Sequence, residues 1–173
     1  MTELELEQCI NEYGKEIYSF CKHLTCNKQE ADDLYQDTFL KAVELQQKIS
    51  WKENPKSYLL SIAVRIWKNR KKKAAWRKRI APTETLVEER DVGGMGDVEI
   101  SLEEKYLVLE EEKIVQVAVD KLPEKLKVCI LLFYMEELSV RQIAKVLKVP
   151  EGTVKSRLYQ ARKQLENELE SVL

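Results

Sequence analysis

Two helical signatures separated by one proline, spanning Ser139 to Leu165, constrain this chain more than any other stretch. Ser139 and Gln142 make the S-x-x-Q pair in which side chain and backbone cap each other at a helix start. Val140, Ile143, Ala144 and Leu147 then form one apolar stripe. Pro150 pushes Val149 out of helical geometry and predicts a tight turn. A second helix starts near Glu151 and Gly152, with Val154, Leu158, Ala161 and Leu165 recurring at helical spacing. At about 100° per residue its opposite face carries Lys155, Ser156, Tyr159, Gln160 and Lys163, flanked by Arg157 and Arg162. This is the pattern of a helix-turn-helix whose second helix enters duplex DNA. Lysine and arginine neutralise phosphates, while Gln160, Ser156 and a long cation reach base edges in a major groove. Only Glu151 is acidic in the whole stretch, so the local field is positive. An ordinary solvated face would explain the charge, but not the proline break beside a polar face that carries a tyrosine.

A net charge of -1 says nothing by itself about nucleic acid, so the distribution of charge has to. From Arg65 to Arg79 there are nine lysines or arginines and no acid, with Trp67 and Trp76 interleaved and Trp51 and Tyr58 upstream. Aromatics beside a cationic track suit single-stranded nucleic acid, each stacked base being worth about 1–3 kcal/mol. The competing reading is a charged helix end with buried aromatics.

The periodic stretches are helical throughout, with few glycines and prolines, which predicts an all-α chain of two small helical bundles joined by a flexible linker. Leu6, Ile10, Tyr13, Ile17, Phe20, Cys21 and Leu24 trace the first helix. Asn27 caps the next, whose apolar face is Ala31, Leu34, Thr38 and Leu45, widened by Phe39, Leu40, Ala42 and Val43, with Asp32, Asp33, Gln36 and Asp37 outside. Lys48 to Asn54 reads as a loop and Pro55 as a first helical residue. Leu59, Ile62, Ala63 and Ile66 then turn inward. Residues 81–101 read as an acidic tether without apolar period, able to stretch to roughly 60–70 Å. Ser101 and Glu104 cap a helix through Leu109, Ile114, Val117 and Ala118. Pro123 opens another, apolar on nearly all sides from Leu126 to Phe133. The domains are therefore 1–80, 81–101 as linker, and 102–173.

Cys9, Cys21, Cys26 and Cys129 make no disulfide framework in a helical chain of this length. Cys21-x-His23-x-x-Cys26 matches no common zinc spacing, so small core residues are the default and no metal or cofactor is expected. One histidine and no phosphate-cradling glycine loop exclude most catalytic classes, and no catalytic residue is assigned. No run approaches the length of a membrane span and no signal-peptide pattern opens the chain, which predicts a cytoplasmic protein.

The run from Leu122 to Leu165, and most specifically P-x-G-T-V-K-S-R-L, resembles the C-terminal DNA-binding region of bacterial RNA polymerase sigma factors of the extracytoplasmic-function (ECF) group. The resemblance extends in order over nearly the whole chain apart from the tether. It implies that Asp33, Leu34, Gln36, Asp37 and Phe39 dock on the largest subunit of core RNA polymerase. It implies that Tyr58, Arg65, Lys68, Asn69 and Arg70 hold melted −10 DNA. Gly152, Thr153, Lys155, Ser156, Arg157, Tyr159, Gln160, Arg162 and Lys163 would then engage the −35 duplex, the first two through backbone amides at a helix N-terminus. The family's usual tryptophan-leucine pair is Tyr58-Leu59, a frequent asparagine is Arg65 and a frequent aspartate is Asn69. Packing therefore carries over, and the −10 base preference does not. The resemblance also implies an anti-sigma partner, often at the inner face of the membrane, and no small-molecule substrate. The reading from a different class is a helix-turn-helix regulator that binds palindromic duplex sites without polymerase.

Overall fold

The computed structural model describes residues 2–48, 54–80 and 102–172. The expected tether at 81–101, with its Ser101 cap, and most of the loop after Lys48, with Trp51, lie outside them. Among the described residues every regular element is helical: α1 (Glu3–Thr25), α2 (Lys28–Glu44), a 3-10 turn (Gln46–Lys48), α3 (Pro55–Ile80), α4 (Leu102–Asp120), α5 (Glu124–Ile130), α6 (Val140–Leu147) and α7 (Glu151–Val172). Helix α5 continues into a π-helical turn, Leu131–Met135. This is the all-α architecture read from the sequence.

The local signals act as their chemistry requires. Thr2 and Glu5 form a capping box that opens α1. The Asn27 side chain accepts from Glu30 N–H at 3.1 Å, and Asn54 caps α3 through Ser57 N–H at 3.2 Å. Cys26 ends α1 in the left-handed region, φ 56°, so the chain reverses within two residues. Gly14 allows α1 and α2 to close up, because a Cβ there would stand 3.0 Å from the Tyr35 hydroxyl.

Three expectations about helix phase need correction. Trp67 is 5% exposed and belongs to the core with Leu59, Leu60, Ile62, Ala63 and Val64. It offers no stacking surface to a base, whereas Trp76 is exposed. On α2, Leu40 and Val43 face outward, not into the core. On α4, Val117 is 48% exposed while Val119 joins Ala118 inside. In each of these stretches the apolar residues spread beyond a single stripe. Periodicity then leaves the buried arc undetermined by about one residue step, and the facing helix decides it.

The two bundles, α1–α3 and α4–α7, are packed together. Helix α3 lies against α6, α1 reaches the π-helical turn, and one hydrophobic core runs through both halves. The α5 run is buried from Leu126 through Leu132, as its all-round apolarity predicts, but the burial includes Lys127.

Candidate nucleic-acid interface

The capping box of Ser139 and Gln142 is closed in both directions, Ser139 N to Gln142 Oε1 at 2.9 Å and Gln142 N to Ser139 Oγ at 3.1 Å. Helix α6 seats Ile143, Ala144, Val146 and Leu147 in the core and ends at Lys148, φ 55°. Val149 N–H then returns to the Ala144 carbonyl at 3.1 Å. Replacing Ser139 with alanine removes this start signal and should cost about 1 kcal/mol in thermal unfolding, with no change in the exposed face of α7.

Helix α7 buries Val154, Leu158 and Ala161 and turns its other side to solvent. Gly152, Lys155, Ser156, Gln160, Arg162 and Lys163 are exposed, and Tyr159 is 65% exposed. Beyond its chain neighbours and its own turn of helix, nothing lies within 4 Å of where a Gly152 Cβ would stand. The Thr153 amide, expected to be open to a phosphate, is already engaged: its N–H donates to the Pro150 carbonyl at 3.0 Å. Arg157 is half-buried beside Cys129 of α5, whose thiol is pushed up by burial and drawn back down by the Arg157 charge. Residues of the face are thus presented outward, with Arg157 withdrawn to its rear edge.

On α3, Arg65 and Asn69 are exposed, Tyr58 and Lys68 half-buried. Burial and then the charge of Arg157 push the Lys68 amine below its usual value. Arg70 is ion-paired with Asp37 of α2, so a residue assigned to −10 DNA and one assigned to polymerase hold each other. Of the α2 docking set, Asp33 and Gln36 are exposed and Asp37 is half-exposed. Leu34 and Phe39 are buried in the bundle, where they position the helix and have little surface to offer a partner.

Sequence reasoning missed the charged contacts that join the bundles. Lys56 Nζ lies 2.5 Å from Glu16 and 2.9 Å from Glu136, the last carboxylate being almost wholly enclosed. Burial pushes the Glu136 carboxyl above the usual range, and Lys56 pulls it part of the way back. Burial alone would lower the Lys56 amine, but its bonds to the two glutamates win and its net shift is upward. A second cluster sits at the end of α1. Lys127 Nζ donates to the Leu24 carbonyl at 3.4 Å and to Cys26 Sγ at 3.0 Å, and lies 3.4 Å from Asp120. The Cys26 thiol donates to Asp120 at 3.0 Å. The available signal was a lysine and a glutamate set in a strongly apolar segment, since buried charges are kept only when paired.

Cys9, Cys21 and Cys129 are core residues, and burial pushes the Cys21 thiol up to about 12. His23 Nδ1 faces the Ser19 carbonyl at 2.8 Å. Among the described residues no group of three or more histidine, cysteine or acidic side chains is placed to hold a metal ion, and no helix is long and apolar enough to cross a membrane.

Comparison with known proteins agrees with this geometry. Residues 9–77 match the model of Sigma-70 region 2, and residues 112–165 that of Sigma-70 region 4. The chain is 30% identical over 164 residues to the ECF RNA polymerase sigma factor SigW of Bacillus subtilis (strain 168), covering 92% of this chain and 86% of that protein. It is 32% identical over 152 residues to the ECF RNA polymerase sigma-E factor of Haemophilus influenzae, covering 85% and 78%. Its fold is similar to that of the sigma factor RpoE, solved in complex with the anti-sigma factor NepR from Bartonella quintana, with TM-score 0.79, 20% identity and coverage of 96% and 97%. It is also similar to CnrH, solved with the cytosolic domain of CnrY, with TM-score 0.68, 18% identity and coverage of 98% and 90%. A capped helix-turn-helix behind a cationic helical bundle, in this order and at this level of identity, places the chain in the ECF family of RNA polymerase sigma factors.

Proposed function

We propose that this protein binds bacterial core RNA polymerase and directs promoter-specific initiation, without catalysing a reaction itself. Residues 1–80 serve the polymerase and melted −10 DNA, residues 102–173 the −35 duplex, and 81–101 join them. The observation that carries the reading is the outer face of α7, where Lys155, Ser156, Tyr159, Gln160 and Lys163 all stand exposed on a helix fixed from behind by its own core. Lys155 and Gln160 read bases, Ser156 and Tyr159 complete the groove contact, and Arg162 and Lys163 meet phosphates. On α3, Arg65 and Asn69 face the unwound strand with Tyr58 and Lys68 beside them. The sigma factor RpoE, of similar fold, was solved with an anti-sigma factor, and we assign this chain a partner of that kind, which can hold it inactive at the membrane face.

Promoter binding requires the two bundles to part. Elements one and a half turns of duplex apart are separated by about 50 Å. Bundles that share a core cannot occupy both, and the packed state sets Lys68 towards Arg157. Opening exposes both and relieves the repulsion between them.

Purified protein added to bacterial core polymerase should yield promoter-dependent transcripts from genomic DNA. Binding to a palindromic operator without polymerase would instead identify a conventional regulator. Replacing Asp33 with alanine should weaken core binding by about 1.5–3 kcal/mol, the value of a hydrogen bond to a charged group. Thermal unfolding should stay unchanged, because that side chain is exposed. Core affinity equal to that of the unaltered chain would leave Asp33 a solvated acid.

A further inference from the structure

Arg162 stands on one edge of α7, in line with Lys155 and Tyr159 at intervals of four and three residues. Its guanidinium lies over two rings of the neighbouring helix, 5.4 Å from the Phe133 centroid and 5.5 Å from that of Tyr134. Its Nε donates to the Tyr134 hydroxyl oxygen at 2.6 Å. The two rings meet edge to face at 4.9 Å and brace each other. Among the described residues, no carboxylate lies within ion-pairing distance of Arg162.

These contacts use one donor of the guanidinium and leave the two Nη groups, on an exposed side chain. The Tyr134 oxygen accepts from Arg162, so its own O–H proton is left to donate, and the residue is 56% exposed. A guanidinium fork and a hydroxyl then stand together around one positive charge with no competing acid. That donor set matches the paired oxygens of a phosphate. Stacking already restricts the arginine, so less side-chain freedom is lost when an anion is bound.

The placement depends on the π-helical turn. Glu136 N–H bonds to the Leu131 carbonyl at 3.2 Å, five residues back. The wider turn lets Phe133 and Tyr134 both meet α7 while Leu131 and Leu132 remain in the core.

We propose that Tyr134 and Arg162 form one composite phosphate site beside the reading helix, with Phe133 as its floor, and that it takes a backbone phosphate of the −35 duplex. The site rests on the reading of α7 given above and adds to it a contact from a separate helix. Tyr134 positions Arg162 and also donates to the phosphate.

The test uses the full chain bound to core polymerase, and a duplex that this holoenzyme selects from a pool randomised at −35. Single phosphates of that duplex are replaced by neutral methylphosphonates. Y134F, which keeps the ring stacking, should bind about three- to tenfold more weakly by losing one hydrogen bond. R162A should lose about tenfold or more and reduce the salt slope by about one. R162K should keep the slope without recovering the affinity, since the charge remains but the fork does not. One methylphosphonate should weaken binding by the unaltered protein most, by Y134F less and by R162A least, and the double variant should lose less than the sum of the two single losses. The site is overturned if Y134F binds normally, if the two effects add, or if every variant keeps the full methylphosphonate pattern, because a purely structural staple would leave that pattern intact. Should K155A and Q160A lose base selectivity while Y134F does not weaken binding, only the composite site fails. Should the holoenzyme select no −35 sequence at all, the reading beneath it fails as well.

Discussion

Replacing Lys56 with methionine should destabilise the closed protein by about 3–5 kcal/mol, the cost of stranding a buried charge. Lys56 is the cation that Glu136, with a side chain 2% exposed, depends on, and Glu16 completes the triad from solvent. Without the lysine, Glu136 must either remain ionised in an apolar setting beside Glu16 or take up a proton. The effect therefore depends on pH. In the folded protein Glu136 holds its proton to higher pH than a glutamate in the unfolded chain. Between those two values the folded state binds more protons, so stability falls as pH rises through the window. The loss is complete once pH exceeds the folded value. Lys56 limits the window from above, and removing it extends the window upward. Glu136→Gln should abolish this component of the pH profile while Lys56 keeps its contact with Glu16. Denaturant titrations across pH 4–9, with fluorescence transfer between the bundles to report opening, measure both quantities. A Lys56→Met protein with the original stability and pH profile would show that the triad holds nothing together. The functional consequence is specific, because the triad joins α1 and α3 to the end of the π-helical turn. If promoter binding uses the open arrangement proposed above, weakening the triad should favour that arrangement and raise transcription at limiting protein until instability dominates.

Replacing Lys155 and Gln160 with alanine should each weaken −35 recognition by roughly 1–3 kcal/mol. Both side chains are exposed and neither supports the core, so unfolding should be unaffected. The two losses differ in kind. Gln160 carries no charge, so its removal should relax base selectivity and leave the salt dependence of binding unchanged. Lys155 adds a cation to the interface, and its loss should also reduce the salt slope by up to about one. Holoenzyme transcription from templates varied across −35, repeated at several salt concentrations, separates the two. Selectivity that survives both substitutions would remove this face from the reading site and leave α7 as a nonspecific anchor.

What was legible in the sequence is what depends on neighbours a few residues apart. Ser139 and Gln142 cap α6, Pro150 breaks the chain between α6 and α7, and Val154, Leu158 and Ala161 set which side of α7 is buried. Each signal is completed within a turn or two of helix, so no knowledge of the rest of the molecule was needed. The candidate reading face was legible for the same reason: once one side of a short amphipathic helix is buried, the other is exposed.

The phase of broadly apolar helices was not legible. Trp67 turned inward and Val117 outward because neighbouring apolar residues there spread beyond one stripe, and the packing partner chose the arc. Still less accessible were the contacts between bundles. Lys56 meets Glu136, and Lys127 meets the end of α1, across separations far longer than any helical period. The π-helical turn that brings Tyr134 to Arg162 is an insertion in hydrogen-bond register with no residue signature of its own. The amino-acid sequence by itself determined the helices, their order and the side that α7 presents. Only the tertiary structure decided that the two bundles share a core, because desolvating Glu136 is tolerable only where a distant segment supplies the opposite charge, and Lys127, paired with Asp120 close by in the chain, finds its further acceptors at the end of α1.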